Sequence, residues 1–265
     1  MLPGRNGSGV DTHQKTRNPV GYSLRLCESQ DDLAGCVRIQ QQIWDYPGSE
    51  LYPLRLFVNL GQIGGHVVGA FTAEGEQVGL VASMPAWRGK RRYLYSLLLG
   101  IVPGHENRGL GRALKLMQRD LALAAGIDCV EWSFDPLRSR NANLNINHLG
   151  AQVRRYEPNR YGSVDSRFQR GLASDRLIAE WWLESPRAKR ALAGKPARNS
   201  RRKPACTIEI PADIDALIRK DMQQARAWQV RVRGQFQQCF AEKLMVAGFA
   251  PGESSAQYLL DAYEG

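Results

Sequence analysis

Leu97 to Gly111 reads Leu-Leu-Leu-Gly-Ile-Val-Pro-Gly-His-Glu-Asn-Arg-Gly-Leu-Gly, an apolar run that ends in a glycine-rich loop at the threshold of a helix. Glycine at 109 and 111 lets the backbone approach an anion with no Cβ in the way, and the first N–H groups of a helix starting near Leu110 point at the same spot. Ala113, Leu114, Met117, Leu121 and Ala124 then form an apolar helical stripe, which Gly126 ends, and a second strand follows over Ile127 to Phe134. Strand, loop, helix and strand make a βαβ unit built around a pyrophosphate cradle. A dinucleotide fold would add a third glycine and an acidic ribose ligand about 20 residues on, and Arg112 and Ala113 follow the glycines instead.

The run from Leu99 to Ala113 resembles the acyl-CoA loop of the GNAT acyltransferase superfamily: an apolar strand, Val102 beside Pro103, then Glu106, Asn107, Arg108 and Gly109-Leu110-Gly111. Glu106 stands where the superfamily usually has Gln or Arg. Ala142 and Leu149-Gly150-Ala151 fall where its next helix ends, with Ile146 in place of the usual tyrosine. Trp132-Ser133-Phe134-Asp135-Pro136-Leu137, Arg140-Asn141-Ala142, Asn145, and Arg154-Arg155-Tyr156 through Tyr161-Gly162 resemble a poorly characterised group of bacterial GNAT proteins. The resemblance covers Tyr22 to Leu192, and more loosely the C-terminal part through Ile208-Glu209-Ile210-Pro211. It implies the GNAT α/β fold, a mixed central sheet with helices on both faces, and acetyl-CoA or a related acyl-CoA as co-substrate, without a metal. It also implies that Val102, Arg108, Gly109, Leu110, Gly111, Arg112 and Ala113 hold the cofactor, that Asn141 and Asn145 bond its pantetheine arm or the substrate, and that backbone N–H groups at the end of the Leu97 to Val102 strand polarise the thioester. Related groups sit beside N-acylamino acid and o-succinylbenzoate enzymes, which brings in succinyl-CoA as a donor.

The composition fits one large domain or a domain with a small extension, since 265 residues at 43% hydrophobic content can bury roughly 70 to 75% of the unfolded surface. Cys27, Cys36, Cys129, Cys206 and Cys239 are odd in number and lack a C-x-x-C pair, so they read as reduced thiols, suited to a cytoplasmic protein. The first 19 residues are polar, with no apolar signal core, and no apolar run reaches membrane-spanning length, so neither export nor a membrane is expected.

Eight lysines and arginines, from Arg187 to Lys203, lie between Ser185 and Cys206 without one acid, which leaves +2 of the net charge of +10 for the rest of the chain. Pro186, Gly194, Pro196 and Pro204 in the same stretch point to a solvated linker rather than a nucleic-acid arm. The expected organisation is a disordered lead-in over 1–19, an acyltransferase domain over 20–185, a basic linker over 186–205 and a C-terminal strand-helix-hairpin extension over 206–265.

Outward from the cradle, the pattern predicts a strand at Tyr22 to Cys27, a helix opened by Ser29-x-x-Asp32, a short helix from Pro53, and a hairpin of His66 to Thr72 with Val78 to Met84. A strand from Tyr93 leads into the cradle. Beyond it the pattern predicts a helix near Asn141 to His148, strands near Gln152 to Tyr156 and Ser166 to Arg170, and an amphipathic helix near Asp175 to Glu184. The C-terminal part predicts a strand, a long helix from Asp213 to Leu244 and a closing hairpin.

Acyl transfer to an amine with a pKa near 10.4 costs about 1.4 kcal/mol for each unit above ambient pH. A base is therefore useful, and Glu131 and Asp135, at the C-terminal end of the second cradle strand, are the candidates. Holding amine and thioester together supplies roughly 7 to 11 kcal/mol by itself. Asn141, Asn143, Asn145 and Asn147 crowd a helix start, where capping accounts for one and ligand contacts for others. Tyr93, Tyr95, Tyr156 and Tyr161 are candidates for an acceptor pocket, with Tyr156 or Tyr161 replacing the absent acid. The expected activity is an acyl-CoA-dependent N-acyltransferase acting on a small-molecule amine or amino acid in a ternary complex, with a second copy of the chain as a possible partner. A catalytically silent acyl-CoA-binding regulator, an N-succinyltransferase acting on amino acids, a nucleic-acid binder and an enzyme acting on protein lysine are the alternatives.

Overall fold

The computed structural model describes residues 19–162, 171–198 and 202–263. The lead-in expected over 1–19, Pro19 apart, and the strand expected over 166–170 lie outside them. The described chain is mixed α/β around one ten-stranded sheet. Strand β1 (Tyr22–Leu26) leads through α1 (Gln30–Trp44), a 3-10 turn at Gly48–Glu50 and α2 (Leu54–Gln62) into the meander β2 (His66–Thr72), β3 (Gln77–Arg88) and β4 (Arg91–Ile101). Helix α3 (Leu110–Ala124) crosses to β5 (Cys129–Phe134), and β4–β5 is the parallel pairing in an otherwise antiparallel sheet. Helix α4 (Ser139–Ala142) runs into a π-helical turn (Asn143–His148), followed by β6 (Gln152–Glu157), β7 (Arg176–Trp182) and α5 (Pro186–Leu192). The C-terminal part is β8 (Cys206–Pro211), α6 (Ile214–Lys220), α7 (Met222–Ala241), β9 (Leu244–Ala250) and β10 (Ser255–Ala262). The sheet order is β1-β2-β3-β4-β5-β7-β6-β9-β10-β8.

Alternation along β2 and β3 feeds two cores. Val68, Ala70, Val78 and Val81 pack against Leu110 and Leu114 of α3. Val67, Phe71, Leu80 and Ala82 pack on the other face with Leu33, Ile39 and Ile43 of α1 and Phe57 and Leu60 of α2. A third core runs from Leu94 and Val130 through Trp181 to Phe236, Tyr258 and Leu260, so the C-terminal part shares its apolar contacts with the middle of the sheet. Strands β6 and β9 pair at Val153↔Val246, and the Tyr258 hydroxyl donates to the Pro136 carbonyl at 2.7 Å.

Three expected elements differ. The helix expected over Asp175 to Glu184 is strand β7, lying between β5 and β6. Leu177, Ile178, Ala179, Glu180 and Trp181 are all buried there, and a strand covered on both faces reads as an unbroken run that periodicity alone does not separate from a helix. The stretch 186–205 begins with helix α5: Ser185 caps it by accepting from Ala188 N–H, and Pro186 takes the first turn. Arg187 from the basic run docks on the carbonyls of Gly150 (3.0 Å) and Ala151 (3.3 Å), and Arg198 pairs with Asp261 at 2.8 Å, so part of that charge is spent inside the protein. The long helix breaks at Asp221, which is extended (φ −154°) and caps α7 by accepting from Gln224 N–H.

Among the described residues no helix is long and apolar enough to cross a membrane and no His, Cys, Asp and Glu cluster has metal-holding geometry.

Candidate active site

Strands β4 and β5 run together only at Leu94↔Val130 and Tyr95↔Glu131, then part. The cause sits two residues further along β4. Ser96 faces Ser83 and Leu98 faces Ala82, so Leu97 is an extra residue, a bulge that bends β4 away from its neighbour. The edges from Ser96 to Ile101 and from Trp132 to Phe134 therefore bound a fork with no ladder partner across it.

The fork opens toward the start of α3. Gly109 is the N-cap at φ +79° and supplies no capping side chain, and the first helical bond returns from Ala113 N–H to the Gly109 carbonyl at 3.0 Å. The N–H groups of Leu110, Gly111 and Arg112 precede that bond and lack intrahelical acceptors. A Cβ on Gly109 would meet nothing within 4 Å, and one on Gly111 would reach Leu144 of the π-helical turn at 3.9 Å. Leu110 and Ala113 turn their side chains into the core, so only their backbone is on offer. Arg108 braces the loop, donating to Tyr22 Oη (3.0 Å) and the Gly104 carbonyl (3.2 Å), while Tyr22 Oη bonds His105 Nδ1 at 2.9 Å. Arg112 donates to the Leu192 carbonyl at the end of α5 at 3.0 Å. Asn145, buried beside Leu144, bonds no described residue through its amide, whereas Asn147 is spent on Asn143 and the Phe249 carbonyl, both at 2.8 Å. Asn141 is exposed.

Both carboxylates expected as bases are engaged. Glu131, 4% exposed, takes Arg88 on both oxygens at 2.7 Å and Arg155 Nη2 at 2.7 Å. Burial alone pushes its carboxyl up, but the two guanidiniums outweigh that and leave it below the usual carboxylate range. Asp135 closes a turn, accepting from Leu137 N–H at 2.9 Å with Arg138 Nε 3.5 Å away. Glu131 so bonded ties β5 to its neighbours and, with its carboxyl pushed down, makes a weak proton acceptor.

The inner corner of the fork holds Lys115 of α3. Its Nζ, donating to Ser96 Oγ (2.9 Å) and Gln118 Oε1 (3.0 Å), sits 3.8 Å from the centre of the Trp132 ring. No carboxylate bonds it among the described residues, and burial pushes its pKa well below 10.5. The unfolded chain then binds the extra proton, so stability is lost as pH falls from about 10.5 toward the folded value. Lys115→Met is expected to raise Tm at pH 7, because Gln118 Nε2 still donates to Ser96 Oγ at 3.0 Å, and the gain should vanish toward pH 10.5. Thermal unfolding of both proteins across that range checks it.

Tyr95, Ser133 and Tyr161 stand on the face of the fork opposite α3. Tyr161 Oη lies 2.8 Å from Ser133 Oγ, and Arg160 Nη2 donates to Tyr95 Oη at 3.3 Å. Burial pushes both phenols up, yet bonds from Ser133 and Tyr95 and the nearby Arg160 pull Tyr161 below the ordinary tyrosine value, while Tyr95 stays raised. Tyr156, also expected at the pocket, is instead a core residue: it donates to Asp175 at 2.6 Å and stacks on Phe236. Tyr93 lies under the Arg88 guanidinium.

No family model and no curated protein matches the chain. Among solved structures it is similar to the ribosomal-protein-S18-alanine N-acetyltransferase from Escherichia coli, with 15% identity and a TM-score of 0.49 over 62% of this chain and 95% of that one. It is also similar to an acetyltransferase of the GNAT family from Streptococcus pneumoniae (16%, TM-score 0.48, 60% and 98%), and to yncA from Salmonella typhimurium with its cofactor acetyl-CoA (17%, 0.49, 62% and 95%).

Sequence reasoning missed Lys115, Ser133, Arg160 and Arg176. Nothing marks a buried lysine on a helix whose stripe is read from Leu114 and Met117, and the arginines gain meaning only from strands brought together across the sheet.

Proposed function

We propose that the chain is an acyl-CoA-dependent N-acyltransferase of the GNAT type, passing an acyl group, with acetyl as first choice, directly from the thioester to an amine. The observation that carries this is the fork: β4 and β5 part after Tyr95 and Glu131, and the gap runs to the uncapped N-terminus of α3 at Gly109. The N–H groups of Leu110, Gly111 and Arg112 suit a pyrophosphate. The unpaired β4 edge suits the two amides of a pantetheine arm, which can bond to it as an added strand would. Asn145, with free donor and acceptor capacity, suits the same arm. Val102, Arg108 and Ala113 shape and brace the loop.

In this reading the thioester carbon lies at the inner end of the fork, and the amine comes from the Tyr95–Ser133–Tyr161 face. The N–C bond forms as the C–S bond breaks; the departing thiolate takes the Tyr161 proton, and the proton released by the new amide nitrogen goes to solvent, which restores the phenol. Glu131 anchors the inner end of the fork and Asp135 its β5 side. Neither is needed as a base if the amine enters uncharged. Tyr161→Phe should lower kcat about 100-fold, near the lower end for general acids, without changing acetyl-CoA affinity, and the wild-type rate should fall on the alkaline side as the phenol ionises.

The test is release of CoA thiol from acetyl-CoA and succinyl-CoA with a panel of amines. Acceptor-dependent release supports the proposal. Saturable CoA-ester binding without release from any acceptor would leave a silent acyl-CoA-binding protein, a reading that the engaged state of Glu131 and Asp135 favours.

A further inference from the structure

Six residues from four parts of the chain come within electrostatic reach of one another at the Tyr95–Tyr161 end, or mouth, of the fork. Tyr46 and Tyr52 come from the connection between α1 and α2, Tyr95 from β4, Arg160 and Tyr161 from the turn after β6, and Arg176 from the first position of β7. The guanidinium carbons of Arg160 and Arg176 lie 5.5 and 5.3 Å from the centre of the Tyr161 ring. Tyr46 feels the field of Arg176, and Tyr52 that of Arg160, which joins the helical connection to the strands. Among the described residues, the acids at this mouth are Glu157, paired with Arg160, and Glu50, near Tyr46. Arg176 donates Nη1 to the Asp175 carbonyl at 3.0 Å and bonds no carboxylate among the described residues. Its neighbour Asp175 cannot serve: fully buried, it takes Arg233 on both oxygens, at 2.8 and 2.9 Å, and the Tyr156 hydroxyl at 2.6 Å.

We infer that the acceptor is an amino acid whose free carboxylate is held at this mouth by Arg176, with Arg160 beside it. The inference rests on the acyltransferase reading and deepens it. A guanidinium with unused donors matches the two oxygens of a carboxylate in a planar pair, and the tyrosine hydroxyls supply further donors around it. The same two guanidiniums disfavour an ammonium nearby, so they favour the uncharged amine that attack requires. Such an amine needs no proton removed before attack, which suits a fork whose carboxylates Glu131 and Asp135 are already engaged. A protein lysine or a simple alkylamine brings no carboxylate to this place.

The test compares glycine, leucine and phenylalanine with their amides in thiol release from acetyl-CoA, for wild type, Arg176→Gln and Arg160→Gln. A charged hydrogen bond of this kind corresponds to about 10- to 100-fold in kcat/KM in favour of the acid. That ratio should collapse toward one in Arg176→Gln while acetyl-CoA affinity stays unchanged. Equal use of acid and amide, or a ratio that survives Arg176→Gln, overturns the inference. Equilibrium binding of N-acetylglycine against N-acetylglycinamide decides it without turnover: a preference for the acid lost in Arg176→Gln supports it, and no preference overturns it. Failure of the acyltransferase reading would show separately, as a protein that binds no CoA ester or that binds one and releases thiol to no acceptor, acid or amide.

Discussion

Gly109→Val should lose acyl-CoA binding by about 100-fold or more, because two hydrogen bonds to a charged group are worth about 1.5 to 3 kcal/mol each and a side chain there displaces the phosphates from the N–H groups. A Cβ on Gly109 meets nothing within 4 Å, so the added side chain enters the space that the loop offers the phosphates. Its φ of +79° adds a strain cost of about 1 to 3 kcal/mol, and the folded fraction must be measured beside the affinity. Gly75→Val is the control: Gly75 has φ +86° and open space, but sits in the β2–β3 hairpin away from the fork. That variant should carry the same strain and keep its affinity. Calorimetric titration with acetyl-CoA on both variants separates the two effects, and equal affinity in the two would remove the cradle from the account.

The second large effect is on stability. Replacing Glu131 by Gln leaves Arg88 and Arg155, themselves 50% and 36% exposed, facing a neutral amide at a site where the carboxylate is 4% exposed, and losing charged hydrogen bonds of this kind costs about 3 kcal/mol. For a domain of this size that corresponds to a fall in Tm of the order of 10 °C. The pH dependence has a definite sign. The folded carboxyl lies below its ordinary value of 4.5, so its contribution is complete above about 4.5 and is lost as pH falls through the lower, folded value. Glu131→Gln should therefore be much less stable than wild type at pH 7 and closer to it in acid. Should the variant keep its Tm at pH 7 and lose only kcat, Glu131 would be the base and not the anchor of the fork.

The strand-loop-helix of the cradle was legible because its signals are local: an apolar strand, a glycine pair and a helical stripe follow one another over 28 consecutive positions, from Leu97 to Ala124. The β2–β3 hairpin and the β9–β10 hairpin were legible for the same reason. Strand β7 was not, since burial on both faces erased the alternation that marks a strand, and only its place between β5 and β6 explains why Glu180 lies inside. Helix α5 had a readable start in Ser185-Pro186, which the density of positive charge after it obscured. The site divides along the same line. Gly109 to Ala113 came from one stretch of chain. The fork came from a one-residue bulge at Leu97 that no pattern announces, and the roles of Lys115, Tyr161 and Arg176 depend on partners 15 or more residues away.

The most direct test of the central claim is the thermal stability of the intact chain with acetyl-CoA, succinyl-CoA, NAD or buffer alone. A ligand held at 100 times its dissociation constant stabilises the folded state by about 2.7 kcal/mol. The fork and the α3 cradle predict a rise in Tm with a CoA ester and none with NAD. No rise with any CoA ester, at concentrations up to the millimolar range, would contradict the account.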